Sequence, residues 1–266
     1  MNLDGKVFVV TGASSGIGEG LSRALSEKGA KVVCAARNSN ELKRVCESIN
    51  ADGGSALAVQ TDITDGEACR QMVQATLDTY GKLDGLILNA GVSMWARFED
   101  IDDLSFFQDL MNVNYHGAVN CCHAALSALK QSHGKIISCS SAQAYMGFPN
   151  HSGYVASKHA LHGFLETLDM EHSGEITILE AVLSWIRGTS LRSNAFGADG
   201  KKHEQAAKKH TSESVSLEVC VAQIIQAIEG DKKTVFIPRK LSLIPFLHTF
   251  FKGFLQRKVI RAINKN

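Results

Sequence analysis

The sequence contains no Cys-x-x-Cys pair, although it has seven cysteines. Their odd number and their positions in apolar segments argue against a disulfide framework and favour buried thiols in a reducing compartment. No spacing of cysteine and histidine matches a zinc site, so we expect no metal. Neither a charged n-region nor an apolar h-region precedes the first strand, so no signal peptide is predicted and the expected location is the cytoplasm.

An excess of charge of one sign is also missing. The 266 residues carry a formal net charge of +1, which gives no reason to expect a nucleic-acid partner. No linker rich in proline, glycine or serine divides the chain, and 44% hydrophobic and 21% charged residues are typical of a globular protein. We therefore expect one dinucleotide-binding and catalytic domain over residues 1–240, with residues 241–266 as its C-terminal extension.

Short β-branched apolar runs alternate with helical patterns along the first 240 residues. Strands are predicted at 6–11, 31–36, 55–60, 82–88, 134–140, 175–183 and 234–237. Helices are predicted up to 29, at 39–50, up to 80 after a capping box at Thr64 and Glu67, and at 101–129, 155–170 and 215–229. This alternation predicts an α/β fold: a doubly wound parallel sheet of Rossmann type, a single domain of about seven strands flanked by helices.

A glycine-rich turn joins the first predicted strand to the first helix. Glycines at such a turn let the backbone approach a pyrophosphate, and the helix N-terminus supplies free N–H groups and a positive dipole end. A turn that binds no ligand is the alternative. The candidate cofactor contacts in this turn are Gly12, Ser14, Ser15, Gly16, Ile17 and Gly18.

The end of the second strand bears on the choice between NAD and NADP. In dinucleotide folds an acid here binds the ribose 2′-hydroxyl of NAD, whereas an arginine suits the 2′-phosphate of NADP. Arg37 is present and no acid is, so NADP(H) is the predicted cofactor, with Ser14 as a helper. The alternative is an exposed arginine at a strand end. Asp62 and Ile63 follow the third strand near the adenine, although Asp62 also suits a local turn, and the small residues of Asn89-Ala90-Gly91 would let the backbone close on a nucleotide.

A tyrosine and a lysine stand four residues apart in a predicted helix, so their side chains share one face. A free tyrosine has a pKa of about 10, and the Lys158 ammonium held close to Tyr154 would favour the tyrosinate and lower that pKa. A phenol tuned in this way can exchange a proton with a carbonyl or alcohol oxygen. A Tyr-x-x-x-Lys match is expected by chance in roughly one chain in four. The pair therefore needs the cofactor turn and Ser141, at the end of the fifth strand, as support.

Together these motifs resemble the short-chain dehydrogenase/reductase family over nearly the whole chain, to about residue 240. The matching positions are Thr11-Gly12-x-x-x-Gly16-Ile17-Gly18, Asn89-Ala90-Gly91, Asn114, Ser141 and Tyr154-x-x-x-Lys158. The resemblance implies that Tyr154 is the acid-base residue and that Ser141 donates a hydrogen bond to the substrate oxygen. It implies that Lys158 binds the nicotinamide ribose and that Asn114 holds a water of a proton relay. Thr189 aligns with the family's carboxamide-binding threonine.

The predicted function is an NADP(H)-dependent oxidoreductase, a carbonyl reductase or alcohol dehydrogenase acting on a small-molecule ketone or secondary alcohol. An apolar, lipid- or steroid-like substrate is expected, and a homodimer or homotetramer. The candidate substrate contacts are Ser141, Met94, Trp95, Met146, Phe148 and Trp185, although Met and aromatic residues are also common in cores. Leu183-Ser184 replaces the family's usual Pro-Gly, which leaves open a non-catalytic NADP-binding regulator or scaffold.

The C-terminal tail is basic and amphipathic. Residues 239–266 hold seven Lys/Arg and no Asp/Glu, and apolar pairs alternate with polar pairs from 241 to 263. This pattern predicts an amphipathic helix, and no apolar run is long enough to span a membrane. Two interpretations stay open: the helix contacts a membrane surface peripherally, or it covers the substrate pocket or a partner subunit.

Overall fold

Seven parallel strands form one sheet in the order β3-β2-β1-β4-β5-β6-β7. The computed structural model describes residues 1–192, 194–202 and 214–264. The strands are β1 (Val7–Thr11), β2 (Lys31–Ala36), β3 (Ser55–Gln60), β4 (Gly85–Leu88), β5 (Lys135–Ser141), β6 (Thr177–Leu183) and β7 (Thr234–Ile237). The predicted doubly wound parallel sheet with seven strands is confirmed.

Helices cover both faces of the sheet. They are α1 (Gly16–Glu27), α2 (Ser39–Ala51), α3 (Gly66–Tyr80), α4 (Ser105–Met111), α5 (Gly117–Ser132), α6 (Ser152–Glu171), α7 (Leu217–Glu229), α8 (Ile244–Phe250) and α9 (Lys252–Asn264). Successive side chains of a strand point to opposite faces. In β1, Phe8 and Val10 therefore pack with α1, α2 and α7, while Val9 packs with α3, α5 and α6. Strands β1 and β4 are mostly apolar because both faces of the sheet are buried there.

The strand order reverses between β1 and β4, and this point positions the candidate site. Thr11 ends β1, and its Oγ1 donates to Ile87 O of β4 at 3.0 Å. The same oxygen accepts from the backbone N–H groups of Asn89 at 3.0 Å and Ala90 at 3.2 Å. The turns that follow the two strands are thereby held side by side, where open α/β sheets have their ligand crevice.

The predicted helix over 101–129 is helical from Ser105 onward, but it is not a regular α-helix throughout. A π-helical turn, Asn112–His116, separates α4 from α5. Asn114 lies in this turn and is buried, and its amide bonds the backbone of Val92 rather than its own helix. Single π-helical turns are common at functional sites, because they turn side chains off the regular helical face.

Three local details also differ from the predictions. Asp65, not Thr64, caps α3, because its carboxylate accepts from Glu67 N at 2.8 Å. Helix α6 begins at Ser152, so the tyrosine of the predicted pair lies in its first turn. The tail is not one helix but two, α8 and α9, because the backbone of Phe251 leaves the helical region with φ −134°.

Candidate active site

A cavity of about 420 Å³ lies along the carboxyl ends of the central strands. Most of the predicted site residues line it: Gly12, Ser14, Ser15, Gly16, Ile17, Arg37, Asp62, Ile63, Asn89, Ala90, Gly91, Met94, Trp95, Ser141, Tyr154, Lys158, Trp185 and Thr189. The fold thus brings the glycine turn and the Tyr154 helix to one space. Gly18, Asn114, Met146 and Phe148 are not part of its lining.

The glycine turn has the backbone form that a pyrophosphate requires. Gly12 and Gly16 have φ values of +64° and +56°, which side-chain-bearing residues rarely adopt. A Cβ on Gly18 would lie 2.2 Å from the oxygen of Gly12, so Gly18 serves the packing of the turn. Ser15 precedes α1, and its side chain makes no capping hydrogen bond. The first N–H groups of α1 therefore keep their capacity to bind an anion, and the turn fits a dinucleotide.

Two positively charged side chains lie near the end of β2, where the sequence predicts the adenosine ribose of the cofactor. Arg37 is exposed, and within the described residues no carboxylate forms an ion pair with it. Asp62 instead accepts from Thr64 N at 3.0 Å and Thr64 Oγ1 at 2.8 Å, which is the local turn chemistry of the alternative interpretation. Burial raises the pKa of Asp62, but these hydrogen bonds and the charge of Arg37 lower it overall. Lys202, which the sequence did not suggest, lines an adjoining cavity with Arg37.

The predicted catalytic side chains meet at the middle of the cavity. Tyr154 is buried, with 7% of its surface exposed. One helical turn later, Lys158 places Nζ 5.7 Å from the centroid of the Tyr154 ring and 3.5 Å from Cys139 O, to which it donates. Ser141 ends β5, and its Oγ accepts from Gln143 N at 3.2 Å. The arrangement allows an oxygen in the cavity to meet a phenol and a hydroxyl from two different elements.

Asn114 lies behind this group. Its Nδ2 donates to Val92 O at 2.9 Å and to Ser157 Oγ at 3.0 Å, and its Oδ1 accepts from Val92 N at 2.9 Å. Both amide N–H groups are therefore used by protein partners. Ser157 Oγ in turn donates to the backbone oxygen of Tyr154 at 2.8 Å, so Asn114 braces the turn that carries the tyrosine. The predicted water of a proton relay would have to use another atom of this residue.

A buried carboxylate supports the loop that follows Ser141. Glu180 of β6 is 8% exposed and accepts from Tyr145 Oη at 2.7 Å and from His162 Nδ1 at 2.9 Å. Burial raises the pKa of Glu180, but the hydrogen bonds from His162, Ser140 and Tyr145 outweigh it and lower the pKa overall. The bond to Glu180 raises the pKa of His162. This network fixes the Ser141 loop between β6 and α6.

The segment after β6 carries the departure from the family pattern. Leu183, the last residue of β6, and Ser184 stand where the resemblance implies Pro-Gly, and both residues line the cavity. The Leu183 side chain also packs in the core of the sheet. Thr189 Oγ1 donates to Ile186 O at 3.1 Å. A Cβ on Gly16 would lie 3.6 Å from the Thr189 side chain, so this segment closes over the glycine turn. The polar and poorly periodic sequence of residues 184–214 predicts a mobile segment over a pocket. Ser193 and residues 203–213 of this stretch lie outside the described residues.

His151 and Arg192 are among the cavity residues that the sequence analysis did not find. His151 is 7% exposed and lies edge-on to Trp95, with ring centroids 4.8 Å apart. Its Nδ1 is 3.1 Å from Pro149 O, and since a carbonyl only accepts, Nδ1 carries the proton. Burial lowers the pKa of His151 to about 4, so the imidazole is neutral near pH 7. Arg192, the second residue, comes from the segment after β6. No local motif marks either position.

Phe148 and Met146, which the sequence suggested as substrate contacts, do not line the cavity. Phe148 packs behind that wall, with its ring centroid 5.2 Å from that of His151 and 6.2 Å from that of Trp185. Met146 belongs to a small core with Ile244 of α8 and Leu255 of α9. Both side chains pack in the apolar cluster that the tail helices form with the loop after β5, and this packing buries their apolar surface.

No cluster of three or more His, Cys, Asp or Glu side chains suited to a metal occurs in the described parts of the chain. All seven cysteines are free and buried. Within residues 1–192, 194–202 and 214–264, no helix has both the length and the apolar character needed to span a bilayer.

Comparisons with known proteins agree with this geometry. The family model described as short chain dehydrogenase matches residues 6–198. The chain is 36% identical over 201 residues to 11-beta-hydroxysteroid dehydrogenase 1A of Arabidopsis thaliana, which covers 75% of this chain and 58% of that protein. It is 38% identical over 238 residues to 11-beta-hydroxysteroid dehydrogenase-like 2 of the same plant, covering 89% and 75%. The chain thus spans less than two thirds of the 1A protein.

A solved structure shows the same fold. It is a short chain dehydrogenase/reductase of Burkholderia phymatum in complex with NAD, which aligns with a TM-score of 0.80 at 21% identity over 95% of this chain and 96% of that one. An alcohol dehydrogenase of Thermococcus sibiricus complexed with 5-hydroxy-NADP aligns with a TM-score of 0.75 at 22% identity, over 87% and 95%. Since the family model covers most of the sheet and the whole glycine turn, this chain belongs to the short chain dehydrogenase family.

Proposed function

We propose that this protein is an NADP(H)-dependent oxidoreductase that interconverts a ketone and a secondary alcohol on an apolar, lipid- or steroid-like molecule. The observation that carries the proposal is that Tyr154, Lys158 and Ser141 line the same cavity as the glycine turn. The substrate class is supported by the apolar walls Met94, Trp95 and Trp185, and by the names of the plant relatives, which are hydroxysteroid dehydrogenases.

In this proposal the protein supplies position and proton transfer, and bound NADP(H) supplies or accepts the hydride. Tyr154 gives its hydroxyl proton to the carbonyl oxygen in the reductive direction. Ser141 donates a hydrogen bond to the same oxygen and stabilises the charge that develops on it. The Lys158 ammonium lies over the tyrosine ring and stabilises the phenolate that remains. Burial of the phenol strengthens these electrostatic effects, because less water screens them.

NADPH consumption with a panel of steroid and long-chain ketones tests the proposal. We expect Tyr154→Phe to reduce kcat by about 10²- to 10⁴-fold, the usual contribution of a general acid, with NADP⁺ affinity unchanged. Tyr115→Phe is the matched control, because the Tyr115 ring packs on Phe164 and does not line the cavity. Turnover that survives in Tyr154→Phe would contradict the mechanism.

The preference for NADP(H) is supported by Arg37, whose guanidinium has no ion-pair partner within the described residues. A charge-assisted hydrogen bond is worth about 1.5–3 kcal/mol. We therefore expect Arg37→Ala to weaken NADPH binding by roughly tenfold or more and to leave NADH binding unchanged. Arg70→Ala is the control, because Arg70 is paired with Glu67 away from the cavity. An unchanged NADPH-to-NADH ratio in Arg37→Ala would exclude this role.

A non-catalytic NADP-binding regulator is the rival function. Leu183 and Ser184 favour it, because they replace Pro-Gly at positions that line the cavity. The presence of Tyr154 and Lys158 in the same cavity argues for turnover instead. Tight NADPH binding without oxidation by any ketone of the panel would favour the regulator.

We propose peripheral membrane contact for the tail at 241–266, which would hold a cytoplasmic protein at a lipid surface. One face of the tail packs on the domain through Ile244 and Leu255, as the covering interpretation expects. The opposite face leaves Phe246, Phe250 and Phe254 exposed by 55%, 67% and 45% among basic residues. This combination suits the interface of an anionic membrane. The expected homodimer or homotetramer stays a prediction, which sedimentation would test.

A further inference from the structure

Arg192 occupies an unusual place at the substrate end of the cavity. Its guanidinium carbon lies 5.0 Å from the centroid of the Trp95 ring and 4.8 Å from that of Trp185. The two indoles meet edge to face at 6.3 Å, so the guanidinium contacts both rings of one aromatic group. Such cation–π contacts lower the cost of holding the charge in a partly dry site.

Among the described residues, no acidic side chain neutralises this guanidinium. Within the described residues no carboxylate pairs with Arg192, and none of its N–H groups donates to a protein acceptor. Burial lowers the pKa of Arg192, and no acid of the described residues raises it. Asp62 is the single carboxylate among the described residues of the cavity lining, and it accepts its hydrogen bonds from Thr64.

The surroundings place Arg192 on the substrate side. Trp95, which it contacts, also meets His151, and the His151 ring lies 6.0 Å from the ring of Tyr154. The neutral imidazole supplies no counter-charge. The guanidinium carbon lies over two indole rings, and no acceptor among the described residues takes the guanidinium N–H groups, so they are available to a planar, bidentate acceptor. Among substrate groups, a carboxylate has that shape and charge.

We propose that Arg192, held by Trp95 and Trp185, binds a carboxylate on the substrate, so that the preferred substrate is an apolar ketone or alcohol with an anionic end. The inference rests on the proposed oxidoreductase function and narrows its substrate class. In this proposal the apolar part of the substrate lies against the two tryptophans and Met94. The substrate carboxylate pairs with the Arg192 guanidinium and so neutralises its charge.

Tryptophan fluorescence tests the proposal without turnover, because the chain has only two tryptophans and both contact Arg192. The full-length protein with NADP⁺ bound is titrated with ketostearate and with its methyl ester, both below their micelle concentrations. We expect the acid to bind about 10- to 100-fold more tightly than the ester, the effect of a charge-assisted hydrogen bond. In Arg192→Met this ratio should fall to about one. Arg187→Met should keep it, because Arg187 is exposed and does not line the cavity.

Three results would overturn the proposal. The wild type could bind the acid and the ester with equal affinity, or Arg192→Met could keep the wild-type preference for the acid. The third result is that Arg192→Met loses as much affinity for NADP⁺ as it loses for the acid. The last result would assign the guanidinium to a cofactor phosphate. Failure of the oxidoreductase function is distinguishable, since the acid would then still bind selectively while neither ketone oxidised NADPH. In Tyr154→Phe the selective binding should persist after turnover is lost.

Discussion

The buried His151 predicts a specific loss of stability at mildly acidic pH. Its pKa is lowered from 6.5 to about 4, chiefly by burial and further by the charge of Arg192. The unfolded chain therefore takes up a proton at higher pH than the folded protein does. The stability associated with the neutral imidazole is complete above pH 6.5 and is lost as the pH falls from 6.5 towards 4. At a pH of about 5 the loss is about 2 kcal/mol, at about 1.4 kcal/mol for each pH unit.

Urea unfolding measures this effect as a difference between proteins. The free energy of unfolding is compared at pH values of about 7.5 and about 5 for the wild type and for His151→Gln, which can still donate to Pro149 O but does not titrate. We expect the wild type to lose about 2 kcal/mol more than the variant between the two pH values. His123→Gln is the control and should behave as the wild type does, because His123 is exposed.

An equal loss in the wild type and in His151→Gln would refute the reasoning. It would mean that His151 takes up its proton in the folded protein as readily as in the unfolded chain. NMR of labelled histidine gives a second measurement: the His151 imidazole should stay neutral down to a pH of about 5. Protonation of this ring above pH 6 would show that water reaches it, and that the wall beside Trp95 is more open than the contacts indicate.

Two further predictions concern the turn and the tail. Gly18→Ala should abolish cofactor binding and destabilise the protein by about 1–3 kcal/mol, because the added Cβ would lie 2.2 Å from a backbone oxygen. Gly163→Ala is the control: no atom lies within 4 Å of the added Cβ, so this substitution should stabilise α6 by about 0.5–1 kcal/mol. Thermal unfolding measures both changes in stability. Phe250→Ser combined with Phe254→Ser should end flotation with anionic vesicles, and Phe98→Ser, an exposed phenylalanine elsewhere, should not. Unchanged flotation of the double variant would remove the membrane proposal.

The sequence determined the features that depend on local pattern. Each β-branched run becomes a strand of the parallel sheet, because a strand buried on both faces must be apolar along its length. The glycine turn could be recognised because its backbone geometry excludes side chains at fixed positions. The shared face of Tyr154 and Lys158 follows from helical periodicity alone. A known family could therefore be identified from a few short segments.

Tertiary structure decided everything that depends on which distant segments meet. His151 and Arg192 come from separate loops, and only the folded chain places both against Trp95. From the sequence, Phe148 was expected to contact the substrate, yet it packs against the apolar cluster that includes the tail helices. The periodicity of apolar residues predicts whether a side chain is buried. It does not predict which distant residues that side chain contacts, because these contacts form only when the whole sheet has assembled.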